Sequence, residues 1–279
     1  MIHTSTILDL IKLLKGLFMK EKSIAIAVVG NYKYLRKYFY TFYKNLKLNG
    51  HYEGEVLIIT SRLTPTFLIK GIRSNSQVKI IRLSKIKFNK STTIRYKTLN
   101  TDDQPNRFAT KNFQWFKLNL FDTALKNWKF ILYLDVNLTI HHDINPLLNY
   151  LPNKKIYARA DSYPNYNRKL KTQFDSRQPE YKEINRRYNL EDVNYFQSGL
   201  LFFDTSIIKD NTKKEIIELA KQYPISVTNE QGILNLYFQE NSIFYEELPE
   251  YIDGYLTYYY WKLKDTKIMI TKQLVEQYK

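Results

Sequence analysis

The segment with the clearest chemical content is Lys129 to Leu148, KFILYLDVNLTIHHDINPLL. An apolar run from Phe130 to Val136 reads as a buried strand and leads into Asp135 and Asn137, two oxygen-bearing side chains one residue apart. In an extended chain, residues i and i+2 point to the same side. Both could therefore converge at the carboxyl end of a strand, where open α/β sheets place their ligands. A hard divalent cation such as Mg²⁺ or Mn²⁺ takes oxygen ligands of this kind and keeps positions free for a diphosphate. An Asp and an Asn closing a strand with a turn would leave the same trace. His141 and His142 follow and could bind metal or move protons, although a surface His pair ahead of a helix needs no such role.

Five further segments carry polar residues at the ends of apolar runs. Gly30-Asn31-Tyr32 follows the first run directly, and Lys117 lies in Phe116-Lys117-Leu118. Tyr195-Phe196-Gln197-Ser198-Gly199 precedes the run LLFFD. Glu230-Gln231-Gly232-Ile233-Leu234-Asn235 opens a helical pattern, and EELPEYID spans Glu246 to Asp253. Together with the Asp135 segment, these resemble glycosyltransferase family 8 and its glycogenin-like relatives, in order and spacing, from about residue 23 to 255. Each motif is weak alone; in sequence they are moderately specific.

The resemblance implies a GT-A fold and transfer of a sugar from a nucleoside diphosphate, UDP foremost, to an acceptor hydroxyl with retained anomeric configuration. It places Asn31, Tyr32, Lys117, Asp135, Gln197 and Gly199 at the nucleotide sugar, and Asp135 with Asn137 at a Mn²⁺ or Mg²⁺ ion. Gln231 matches the family position nearest the reacting carbon. Asp161, just after KIYARA, is placed to hydrogen-bond the donor sugar, or else caps a turn. Should the reaction invert, Asp161 or Glu230 would be the carboxylate base. The departures are specific. Asn137 replaces the second acid of the motif, Gln197 an Asn, and Glu230 and Gly232 the two acids flanking the family's Gln. The family's C-terminal His is missing, since no His follows His142. Lys117 and other cations could then neutralise the diphosphate in the metal's stead.

The elements that must hold these residues are legible as runs. Ser23–Gly30, Glu55–Thr60, Val78–Leu83, Phe130–Val136, Lys155–Ala160 and Gly199–Asp204 are continuously apolar, the mark of strands covered on both faces. Helical spacing runs through Tyr32–Leu48, Asn112–Lys126, Glu215–Tyr223 and Gln231–Phe238. The alternation predicts an α/β chain with one doubly covered sheet. With the resemblance, the expectation is a single GT-A, Rossmann-like domain with a mixed, mostly parallel sheet over residues 23–255. An amphipathic helix over residues 1–22 would precede it, and an aromatic and basic extension over 256–279 would follow. The extension holds Tyr258 to Lys264, which could stack an acceptor sugar, contact a membrane or pack at the rim.

Composition narrows the function. The chain has 279 residues, no Cys and 8 Gly. That excludes disulfides, cysteine zinc sites, iron–sulfur clusters and cysteine nucleophiles, and no glycine-rich phosphate cradle is present. No run reaches the roughly 18 apolar residues of a membrane span. The segment Ile7–Phe18 reads poorly as a secretory peptide and well as a basic amphipathic helix, docked on the core or on a membrane surface. A cytoplasmic setting is expected, with peripheral membrane contact as a further option. The 43 Lys and Arg against 27 Asp and Glu leave a charge of +16, with bias in Ser84–Asn100 and Asn165–Asn189. Ser84–Asn100 reads as an exposed loop, and Asn165–Asn189 as a lid, a binding loop or a small helical insertion. Two other functions fit parts of this picture. One is a nucleotide-sugar-binding GT-A protein that has lost transfer, suggested by Asn137 and the absent His. The other is a nucleic-acid-binding protein, disfavoured because the cations are spread out and no recognition motif is present.

Overall fold

The computed structural model describes residues 24–72, 75–99, 108, 111–160, 169–240, 245–259 and 267–272. The Ile7–Phe18 helix, Asp161 and Tyr260–Lys264 lie outside them. In chain order the elements are β1 (Ile24–Val29), α1 (Tyr32–Leu48), β2 (Glu55–Ser61), β3 (Val78–Leu83), α2 (Lys90–Thr98), β4 (Phe130–Leu134) and β5 (Leu138–Ile140). Then come α3 (Asn145–Leu148), β6 (Ile156–Ala158), α4 (Tyr181–Tyr188), β7 (Leu200–Asp204), α5 (Thr212–Gln222) and α6 (Glu230–Glu240). β8 (Tyr245–Glu247), β9 (Tyr251–Ile252), β10 (Tyr255–Tyr259) and β11 (Ile268–Lys272) follow.

Seven strands form the main sheet in the order β3-β2-β1-β4-β7-β6-β8. β1 to β4 are mutually parallel, so their carboxyl ends share one edge of the sheet. β7 runs antiparallel to both β4 and β6, and β8 is parallel to β6. The expected mixed, mostly parallel α/β sheet is therefore present. Successive residues of β1 go to opposite faces: Ala25, Ala27 and Val29 to one core, Ile26 and Val28 to the other. A smaller sheet, β5-β11-β10-β9, is built from the turn after β4 and from residues near the C-terminal end. Pairing of Leu138–Ile140 with Ile270–Lys272 ties it to the Asp135 strand.

α1 spans the predicted residues because Leu35, Phe39, Phe42 and Leu46 recur at helical spacing and are all buried. Asn31 starts it, its side-chain oxygen accepting the Tyr34 amide at 2.9 Å. Four expectations change in the structure. VKIIRL reads as covered on both faces, yet β3 is the sheet edge, with Lys79, Ile80 and Arg82 exposed. Ser84–Asn100 contains helix α2 rather than loop alone; only Thr92 and Tyr96 are buried, too few to leave an apolar period. Asn112–Lys126 forms two 3₁₀ segments, Asn112–Phe121 and Thr123–Asn127, divided at Asp122, which caps the second. Every residue from Trp115 to Phe121 is buried, so no amphipathic stripe dictates an α-helix there. Finally, β4 stops at Leu134. The Leu138 amide donates to the Asp135 carbonyl at 2.9 Å, so Asp135 and Asn137 lie in a turn, not on one face of an extended strand.

Candidate active site

Asp135 leaves the carboxyl end of β4, its amide donating to the Gly199 carbonyl at 2.8 Å just before β7 begins. Lys117 reaches it from the buried part, Trp115 to Phe121, of the 3₁₀ segment Asn112–Phe121. The ammonium lies 3.0 Å from Asp135 Oδ1 and 3.0 Å from Glu230 Oε1, in the first turn of α6. It also donates to the Ser198 carbonyl and hydroxyl, each at 3.3 Å. The Lys117 side chain is 6% exposed and that of Glu230 1%. So the lysine expected to face the diphosphate is held by the protein, with its N–H groups turned inward. Tyr133, fully buried in β4, donates its hydroxyl to the same Asp135 oxygen.

The electrostatics follow from burial. Desolvation alone would push the Lys117 ammonium down, but Asp135 and Glu230 together outweigh it and hold the group above its ordinary value. Burial first, and then the Asp135 charge, push the Tyr133 phenol well above its usual range, so it stays neutral and donates. One ammonium between two carboxylates leaves the cluster a net negative charge. A buried pair of this kind persists only when its remaining polar atoms are satisfied. Two are not: Glu230 Oε2 and Asn137 Oδ1 are buried acceptors without a hydrogen-bond partner. Each is a place where a donor or a cation would gain.

A second network holds the approach to β7. The Ser198 amide donates to Gln231 Oε1 at 3.0 Å, and the Ser198 hydroxyl donates to Glu230 Oε1 at 3.0 Å. Gln231 Nε2 donates to Gln173 Oε1 at 2.9 Å, which sets the orientation of the amide. One turn on, Asn235 clamps the backbone of Phe196, accepting its amide and donating to its carbonyl, both at 2.9 Å. The Gln197 amide donates to the Arg159 carbonyl at 2.9 Å, next to Ala160. Gly199 is required by close approach, since a Cβ there would sit 2.4 Å from the Tyr258 hydroxyl. Gly232 has a parallel reason: a Cβ would meet Ser226 Oγ at 2.5 Å. An acid at this position has no room.

The structure thus brings Lys117, Asp135, Gly199, Glu230 and Gln231 together. Asn31 lies at the same sheet edge, spending its side-chain oxygen on the helix cap, and Tyr32 packs against the α1 side of the core. His142 stacks on Tyr255, ring centroids 3.9 Å apart. Among the described residues no three His, Cys, Asp or Glu side chains gather around one point. Sequence reasoning missed Ser198, Tyr133 and Gln173, and also Tyr34, Phe113 and Gln114, which line a small cleft with Val29, Lys117 and Asp135. Ser198 lies within the Tyr195–Gly199 stretch and is legible there; Tyr133 and Gln173 have no local signal.

The family model of glycosyl transferase family 8 matches residues 25–270. A structure of galactosyltransferase LgtC in complex with donor and acceptor sugar analogs superimposes with a TM-score of 0.56 at 12% identity, over 90% of this chain and 87% of that one. The apo structure of the bifunctional glycosyltransferase WbbM gives 0.51 at 12% identity, over 91% of this chain and 46% of that one. At such identities the likeness is one of fold. No curated protein sequence matches the chain. The family match covers both the Asp135 turn and the start of α6, the two ends of the Lys117 cluster. The chain belongs to glycosyl transferase family 8 and is a glycosyltransferase with the GT-A fold.

Proposed function

We propose that this enzyme moves a hexose from a nucleoside-diphosphate sugar, a UDP-sugar, to a hydroxyl of a carbohydrate or glycoconjugate, with retention of configuration. One observation carries the reading. Asp135 at the end of β4 and Gln231 in the first turn of α6 are linked through Lys117, Glu230 and Ser198. That network supports assigning the diphosphate to the Asp135 end and the sugar to the Gln231 end, at the edge where parallel strands present ligands. In the reaction the bond from the anomeric carbon to the terminal phosphate oxygen breaks. The acceptor oxygen bonds that carbon, and its proton passes to the departing diphosphate.

The side chains divide the work. Gln231 is assigned to the position beside the reacting carbon, its amide held there by Ser198 and Gln173. An amide is neither a base nor a strong nucleophile. Its neighbour Glu230 is buried and paired with Lys117, so it positions the lysine rather than touching substrate. This supports retention, in which the leaving diphosphate takes the acceptor proton. Asn31, Tyr32, Gln197 and Gly199 are assigned to the nucleotide sugar, and Asp161 to a hydroxyl of the donor sugar.

Family members typically use a divalent metal, and the residues here fit one modestly. Asp135 and Asn137 are both hard oxygen donors, and the buried Asn137 Oδ1 lacks a partner. They would hold Mn²⁺ or Mg²⁺, which when bound supplies charge neutralisation for the diphosphate. The test is thermal shift against a nucleotide-sugar panel with Mn²⁺, Mg²⁺ or EDTA. The expected result is stabilisation by a UDP-sugar that Asp135→Ala removes. No response to any UDP-, GDP- or CMP-sugar in any arm would overturn the reading.

A further inference from the structure

The positive charge is not spread evenly over the chain. Residues 23–101 hold 15 Lys and Arg against two acids, Glu53 and Glu55, which accounts for most of the +16. Most of the large exposed apolar side chains among the described residues lie there too: Tyr40, Leu48, Leu63, Phe67, Leu68, Ile80 and Ile94, with Tyr150 and Tyr251 elsewhere. On one loop the two features coincide. Between β2 and β3, Leu63 is 92% exposed, Phe67 64% and Leu68 56%, flanked by the exposed cations Arg62 and Lys70.

That exposure is imposed by the fold. Thr64, Thr66, Ile69 and Ile72 of the same loop are buried. Arg82 of β3 donates to the Thr64 carbonyl and to Thr66 Oγ1, each at 2.8 Å, and the Thr60 hydroxyl donates to Thr64 Oγ1 at 2.8 Å. A loop anchored through alternate residues has no freedom to turn Leu63, Phe67 and Leu68 inward. The surface continues onto α1, where the Lys70 ammonium lies 4.1 Å from the Tyr40 ring centroid and Arg36 and Lys44 are exposed.

We propose that the 62–70 loop and the outer face of α1 dock the enzyme on an anionic lipid bilayer. Aliphatic and aromatic side chains protruding from a basic surface match a membrane interface, where the tips enter the acyl boundary and the cations meet lipid phosphates. Nucleic acid is the poorer match. Two of the three protruding tips are aliphatic and cannot stack on bases, and Lys70 covers the Tyr40 ring. None of Arg62, Leu63, Phe67, Leu68 and Lys70 is among the side chains that hold Lys117, so the inference stands independently of the donor and of retention.

Co-sedimentation of the full chain with phosphatidylcholine vesicles, with and without phosphatidylglycerol, tests it. The expected result is binding only to phosphatidylglycerol vesicles, weakened by salt. The triple variant Leu63→Ser, Phe67→Ser, Leu68→Ser and the double variant Arg62→Glu, Lys70→Glu each lower the partition coefficient about tenfold or more. Melting temperatures should stay at the wild-type value, because these side chains are exposed. Wild-type binding by both variants would overturn the proposal. So would heparin or oligonucleotide binding that the apolar variant leaves intact while vesicles are ignored. A dimer seen by light scattering, lost in the apolar variant without any vesicle binding, would assign the surface to a second copy of the chain instead.

Discussion

Lys117 and Arg82 show opposite treatments of one charge within a single sheet. Lys117 is enclosed, and its ammonium has two carboxylates at 3.0 Å. Arg82 is exposed on the edge strand and donates only to carbonyl and hydroxyl oxygens of a neighbouring loop. The difference is one of solvent. An ion withdrawn from water loses several kcal/mol of hydration and persists only beside opposite charge. An ion left in water keeps its hydration, and many of one sign can gather at small cost. Charge is therefore local chemistry in the site and a long-range field on the outer face.

Removing the buried cation should have the largest effect. Lys117→Met leaves Asp135 and Glu230 facing each other without compensation, a loss of about 3–5 kcal/mol in urea unfolding. Adding Glu230→Gln should recover part of it. A Lys117→Met protein as stable as wild type would break the comparison. The sign with pH is also set. A folded-state value raised above the unfolded one, about 10.4, makes the lysine's contribution complete below that pH. It is lost as pH rises through the folded value, so wild type and Lys117→Met should converge only in strong base.

An intermediate case sharpens the contrast. Arg95 of α2 pairs bidentately with Glu180 ahead of α4, both partly buried, and its hydrogen bonds hold the Glu180 carboxyl below its ordinary value. Arg95→Ala should cost about 1 kcal/mol near neutral pH. That contribution is present above about pH 4.3, the unfolded value, and vanishes as pH falls through the folded one. Chemical denaturation at pH 7 and in acid measures both. Arg82→Met should be the mildest, below about 1 kcal/mol, since water can replace its bonds to the loop.

The contrast also revises the meaning of the net charge. As a single number it fits a nucleic-acid-binding protein as readily as an enzyme. In the structure, the cation expected to meet the diphosphate is neutralised from within, and the excess lies over β1 to α2. A field from that region still draws anions toward the carboxyl edge of the sheet. At the 62–70 loop it coincides with exposed apolar tips, which an anion in solution does not require.

Much of the scaffold was readable in advance. α1 and β3 have the expected limits, and β1, β2, β4, β6 and β7 differ by a few residues, because buried faces impose a period on the chain. Helix α2 and the 3₁₀ character of Asn112–Asn127 were not readable. One buries too little to show a period, and the other is buried on all sides from Trp115 to Phe121. Within the site, Asp135, Lys117, Glu230 and Gln231 could be named as types at intervals. That Lys117 joins Asp135 to Glu230 could not, for the contact spans 113 residues along the chain and leaves no trace in local spacing.

The sequence by itself determined the strands, the long helix, the family and the residues able to carry charge, since each depends on neighbours within a turn or a strand. Only the tertiary structure decided which charges face each other, which face water, and that β3 is an edge. Ionic energy depends on distance and on the surrounding dielectric, and both are products of the assembled fold.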